Sequence, residues 1–100
     1  MPKQANLLTS TTATPSILSA TGTVLPANAN RYFFSIQNVG TNPIFIKFGS
    51  GASSTVFHAV IKGGSGNSDG LGGSYTSADV CYTGDISIAG TSPLYVLTEM

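Results

Sequence analysis

Residues 31–48 read RYFFSIQNVGTNPIFIKF and contain two short runs with the two-residue period of β-strands. In the first run Phe34 and Ile36 share one face, because successive side chains of a strand point to opposite sides. In the second run Ile44 and Ile46 share a face in the same way. The Asn and Gly residues between the runs tolerate positive φ. The stretch therefore predicts a β-hairpin.

Similar short runs, rich in β-branched and aromatic residues, lie on both sides of this stretch. They recur about every 8–12 residues with turn residues between them, which is typical of a sandwich or barrel. No window has the apolar period of a helix. We therefore predict an all-β fold, a single-domain antiparallel β-sandwich or jelly-roll-like barrel. Its other strands are predicted at residues 23–25, 55–62, 75–83 (or only 79–83), 85–89 and 94–98.

The first 21 residues differ from the rest, since eight of them are Ser or Thr and two are Pro. Such a segment is expected to be extended unless something holds it. We predict an extended N-terminal arm at residues 1–21 and one β-sandwich domain at residues 22–100. The apolar content of the arm is two doublets, which are candidate anchors on a partner: Leu7, Leu8, Ile17 and Leu18.

Two phenylalanines fall on the faces opposite to the predicted core residues. Phe33 alternates with Phe34, and Phe45 lies between two isoleucines. A two-layer sandwich normally exposes one face of each sheet. Because exposed apolar patches usually mark interaction sites, Phe33 and Phe45 are further candidate interface residues.

The charge balance excludes several classes of protein. Four basic and four acidic side chains give a formal net charge of zero. Nucleic-acid binders and polybasic membrane-surface proteins need clustered Lys and Arg. The longest apolar run has four residues, against about 20 for a membrane-spanning helix. We expect no nucleic acid and no membrane as partner, and a weakly charged surface that offers little resistance to self-association.

Reactive side chains are few. His58 is the single histidine, and no motif supplies the carboxylate and nucleophile that a catalytic base needs. We predict a half-buried strand histidine with a structural hydrogen bond. Cys81 is the single cysteine, which predicts a buried apolar side chain in a protein made in a reducing compartment. No catalytic residue, metal site or cofactor is expected.

Residues 63–74 contain six glycines in twelve positions. A phosphate-binding loop would end in Gly-Lys-Ser/Thr, and no lysine follows Lys62. Asn67 and Asp69 offer two calcium ligands where six to eight are needed. The composition favours a flexible surface loop, and whether it binds a partner is left open.

The string RYFFSIQNVGTNPIFIKFG at residues 31–49 resembles a segment of small structural proteins of tailed bacteriophages, in which an Ile-Gln-Asn-x-Gly turn joins two strands and the second ends near Lys-Phe-Gly. Residues 84–91 and 94–96 look like the closing strands of the same kind of domain. The resemblance implies a protein made in the bacterial host cytoplasm and built into a virion. It implies no catalytic residues.

From the resemblance and the residues together we expect a non-enzymatic virion structural protein on the capsid surface. It would decorate or cement the capsid by bridging neighbouring subunits, with the major capsid protein as partner and a dimer or trimer as its own assembly. One alternative is a receptor- or carbohydrate-binding module with an exposed tyrosine cluster. Another is a neck, baseplate or tail component.

Overall fold

The computed structural model describes residues 16–78 and 80–100. These residues form eight β-strands and no helix. The described part of the chain therefore includes no helix that could cross a membrane. All strand pairs are antiparallel. The strands are β1 Ile17–Leu18, β2 Gly22–Leu25, β3 Phe34–Asn38, β4 Ile44–Phe48, β5 Ala59–Ile61, β6 Ser74–Thr76, β7 Ile86–Gly90 and β8 Tyr95–Glu99. Sheet A has the order β1-β8-β3-β6 and sheet B the order β2-β7-β4-β5. The predicted β-sandwich is confirmed.

The core lies between the two sheets and follows the alternation seen in the sequence. Phe34 and Ile36 of sheet A are fully buried, as are Ile44 and Ile46 of sheet B. Full burial of such a side chain stabilises the fold by about 1.5–3 kcal/mol. The two-residue period therefore identified the inner face of both central strands. The remaining apolar core residues are Leu25, Ile61, Ile86, Ile88, Tyr95 and Leu97.

The predicted hairpin at residues 31–48 is wrong. β3 pairs with β6 and β8, whereas β4 pairs with β5 and β7 in the other sheet. Residues 39–43 thus form a corner between sheets. The side chain of Asn38 holds this corner: its Nδ2 donates to the carbonyl oxygens of Asn42 and Ile61 at 2.9 and 3.1 Å, and its Oδ1 accepts from the Gly40 N–H at 2.9 Å. A hairpin and a corner have the same apolar period, so the period could not distinguish them.

The predicted strand at residues 55–62 is shortened to β5, and residues 49–58 cross the outer face of sheet B instead. Ser87, fully buried on β7, holds this segment because its hydroxyl donates to the Gly49 carbonyl at 2.6 Å and accepts from the Ala52 N–H at 3.0 Å. The Ser53 hydroxyl then accepts from the Val56 N–H at 3.0 Å, which turns the backbone away from a strand. Residues 80–83 form no strand either.

Arg31, the first residue of the stretch 31–48, is buried at one end of the sandwich. Its side chain is fully inaccessible, and its Nε donates to Glu99 at 2.9 Å. Nη1 donates to the carbonyl oxygens of Tyr82 and Gly84 at 2.8 and 3.0 Å, and Nη2 donates to that of Pro26 at 2.8 Å. One guanidinium therefore joins two loops and strand β8, as its rigid fork of donors allows.

Replacement of this guanidinium tests its role. We expect Arg31→Met to lower the free energy of unfolding by about 3–5 kcal/mol, because it removes the ion pair with Glu99 and leaves three carbonyl oxygens without the guanidinium donor. Urea denaturation measures the change. Lys62→Met removes the same charge from an exposed side chain and should stay within about 0.5 kcal/mol of the wild type. Equal effects of the two substitutions would contradict this role for Arg31.

Candidate functional site

The predicted arm anchors fall into two groups. Leu7 and Leu8 lie outside the described residues. Ile17 and Leu18 form β1, the edge strand of sheet A, and are 54% and 38% exposed. Ile17 pairs with Val96 and Leu18 with Tyr95 of β8.

A groove of about 480 Å³ runs between β1 and β2, along one side of the sandwich. Leu18, Ala20, Val24 and Tyr95 contribute to its lining. The Tyr95 hydroxyl donates to the Ala20 carbonyl at 2.7 Å and so fixes the connection between the two strands. Burial raises the pKa of Tyr95 above its ordinary value of 10.0, which keeps this donor protonated. We call this feature the edge groove.

The structure places the two candidate phenylalanines on different sheets. Phe33 is half-buried and extends the pairing of β3 with β8, since it exchanges backbone hydrogen bonds with Met100 at 3.2 and 2.9 Å. Phe45 lies on β4 between two buried isoleucines and so faces the outside of sheet B. Ile17, Leu18 and Phe33 belong to sheet A, and the predicted residues therefore do not form one patch.

Phe45 forms the floor of a second concavity, which we call the Phe45 cleft. It has a volume of about 400 Å³ and lies on the outer face of sheet B, with Ala89 beside Phe45 in its floor. Residues 52–54 form one wall, and Pro43 and Thr91 contribute to the other. The Phe57 ring lies 5.1 Å from that of Phe45, with 48° between the ring planes.

An exposed apolar strip borders this cleft. Val56, Phe57 and Val60 are 50%, 41% and 52% exposed. The pattern of residues 55–62 predicted one long strand that contains Val56 and Val60, and this surface was therefore missed. The signal that could have revealed it is the pair Ser53 and Ser54, whose hydroxyls favour turns over strands.

His58 makes the structural hydrogen bond that was predicted, but it is exposed and precedes β5. Its Nδ1 accepts from the Phe48 N–H at 3.1 Å, and its own N–H donates to the Ile46 carbonyl at 2.7 Å. The imidazole also stacks on the Phe48 ring at 4.9 Å. These contacts join the loop of residues 49–58 to β4.

Cys81 is partly buried against the core, and its thiol donates weakly to the Tyr82 carbonyl at 3.7 Å. Within residues 16–78 and 80–100, no three His, Cys, Asp or Glu side chains are grouped so that they could hold a metal ion.

The four tyrosines do not form an exposed platform. Tyr95 is fully buried, and Tyr32, Tyr75 and Tyr82 are half-buried. The rings of Tyr75 and Tyr82 lie 5.8 and 5.1 Å from the Phe48 ring. This aromatic cluster closes the end of the core near Arg31.

The glycine-rich segment at residues 63–74 packs on the corner and is held by hydrogen bonds. Its composition predicted a flexible loop instead. Asp69 accepts hydrogen bonds from the backbone N–H groups of Ser65, Gly66 and Leu71 at 2.8–2.9 Å. A Cβ atom at Gly72 would collide with the Asn38 carbonyl oxygen, so this position excludes a side chain. The loop donates from Gly64 and Ser68 to the carbonyl oxygens of Gly40 and Val39.

No protein-family model matches the chain, and no curated protein or solved structure matches it either. The edge groove and the Phe45 cleft are therefore the features on which a functional proposal has to rest.

The carboxylate of Asp69 makes the loop sensitive to acid. The N–H of Leu71, followed by that of Gly66, lowers the pKa of Asp69 below its ordinary value of 3.8. The stabilisation is therefore fully present above pH 3.8 and is lost as the pH falls through the lowered pKa.

We expect the amide resonances of residues 65, 66 and 71 to titrate together below pH 3.8, and this titration to disappear in Asp69→Asn. A shared midpoint at or above 3.8 would contradict the assignment.

Proposed function

We propose that the chain is a non-enzymatic structural protein of a bacteriophage virion, which decorates or cements the capsid by bridging neighbouring subunits. The observation that carries this proposal is the exposure of Ile17 and Leu18 on the edge strand β1. The resemblance of residues 31–49 to tailed-phage structural proteins supports the same class.

The edge of sheet A is suited to strand addition. β1 has two residues and pairs only with β8 among the described strands, so the backbone groups on its other side can bond to a partner strand. The edge groove beside it offers Val24 and Leu18 as apolar contacts. A capsid subunit would add a strand here and cover both exposed side chains. Leu7 and Leu8, which precede this edge in the sequence, would extend the contact along the same partner.

The low charge of the protein favours this kind of attachment. Charged residues make up 8% of the chain, against about 25% in average globular proteins. Contacts of this protein therefore depend on apolar burial and backbone hydrogen bonds. Many copies on one particle multiply such contacts, and all of them must break before the shell comes apart. We propose a homo-oligomer, a dimer or trimer, as the form that bridges subunits, since repulsion between copies is weak.

A carbohydrate-binding module built on tyrosines finds no support in the structure. All four tyrosines are buried or half-buried, whereas such a module needs their rings exposed. The edge of sheet A is the surface that best suits an assembly partner.

Attachment can be tested on particles of the phage or prophage that encodes the chain. We expect quantitative mass spectrometry to find many copies in each wild-type particle. In the double variant Ile17→Ser and Leu18→Ser we expect occupancy to fall by about tenfold or more, because apolar contacts at an interface are lost. The control is Leu71→Ser with Val80→Ser, which replaces two exposed apolar side chains elsewhere. Circular dichroism checks that both variants fold.

Absence of the chain from purified particles would overturn the virion assignment. Wild-type occupancy of the Ile17/Leu18 variant would overturn the role of the β1 edge. Equal losses in the variant and its control would show that the contact is not specific to this edge.

A further inference from the structure

We propose that the Phe45 cleft binds one unit of a neutral saccharide, with the Phe45 ring as its stacking surface. The cleft lies on the outer face of sheet B, away from β1, so both surfaces can be occupied at once. Binding by the isolated chain does not depend on the proposed role in a virion.

The described lining of the cleft is uncharged. The described residues that line the cleft are Asn, Pro, Phe, Ala, Ser, Gly and Thr, and none of them is ionisable. A charged ligand would lose water in this cleft without meeting a side chain of opposite charge, which is costly. The lining therefore selects a neutral ligand.

The lining of the cleft is divided into an apolar floor and a polar rim. Phe45 and Ala89 form the floor, and Ser54, Thr91 and Asn42 lie at the rim. The Ser54 and Thr91 hydroxyls make no hydrogen bond to the described residues. A pyranose ring has the matching surfaces: C–H groups on one face, which are attracted to the negative face of an aromatic ring, and hydroxyl groups around its edge.

The cleft is already formed without a ligand. β4 is a central strand, and Phe45 pairs with Val60 on one side and Ala89 on the other. The wall at Ala52 is held by its hydrogen bond to Ser87, and the opposite rim is held by the bond from Asn42 Nδ2 to the Thr91 carbonyl at 2.9 Å. Binding would thus cost little ordering of the protein.

The volume of the cleft sets the size of the ligand. About 400 Å³ is near the lower end of the range of small-molecule sites, which suits one sugar unit. Because the site is open to solvent, we expect a dissociation constant on the order of 1 mM for a single hexose.

Binding can be measured by titration of the ¹⁵N-labelled full chain in two-dimensional NMR. The probes are the methyl glycosides of glucose, galactose and mannose and of the N-acetylated hexosamines, each to about 50 mM; the two groups distinguish a hexose polymer from an N-acetylated one. We expect at least one probe to shift the amide resonances of residues 45, 54, 89 and 91.

Phe45→Leu, which keeps an apolar side chain but removes the ring, should weaken binding by about tenfold or more. Phe33→Leu is the matched control on the other sheet and should bind as the wild type does.

Three results would overturn the proposal. One is that no probe shifts the cleft resonances. Another is that Phe45→Leu binds as tightly as the wild type. A third is that the cleft resonances shift with protein concentration in the absence of sugar, which would identify a second copy of the chain as the occupant.

Discussion

The corner at residues 39–43 is the constraint on which the remaining structure depends. The chain has to pass from sheet A to sheet B within five residues, while both flanking strands keep their isoleucines in one core. The Asn38 side chain makes this possible, since it bonds to the Asn42 carbonyl and also satisfies two buried backbone groups, the Gly40 N–H and the Ile61 carbonyl. Asn38 is only 1% exposed, so water has no access to its amide group. A substitution of Asn38 therefore removes hydrogen bonds from the corner, from β5 and from the residues just before β4.

Two other parts of the molecule are built on this corner. The glycine-rich loop bonds to its backbone through Gly64 and Ser68, and it can approach because Gly72 has no side chain. The rim of the Phe45 cleft also begins there, at Asn42 and Pro43. At the opposite end of the sandwich, Arg31 joins its loops in a similar way with a buried charge. Both ends thus use one polar side chain to satisfy several backbone groups, and the apolar core lies between them.

The sequence predicted the fold class and the inner face of the central strands, because two-residue periodicity depends only on local side-chain direction. It did not predict which strands pair, since Phe34 and Ile44 face the same core in a hairpin and in a corner. The burial of Arg31 depends on carbonyl oxygens more than fifty residues away in the sequence, which no local pattern reveals. Ile17 and Leu18 are exposed on β1, and their role as anchors stays a prediction. The Phe45 cleft could not be predicted, because its walls come from three separate segments.

Hydrogen exchange in the variant Asn38→Ala tests most directly whether the side chain of Asn38 holds the corner and the loop upon it. The amides to follow are those of Gly40, Gly64 and Ser68, which donate to Asn38 or to the corner backbone, and the amides shared by β3 and β8 serve as the internal reference. We expect the three corner amides to lose protection well beyond the loss in the reference amides, whereas Asn67→Ala in the exposed part of the loop should leave them unchanged. If the three amides keep wild-type protection in Asn38→Ala, relative to the reference amides, then the Asn38 side chain does not hold the corner.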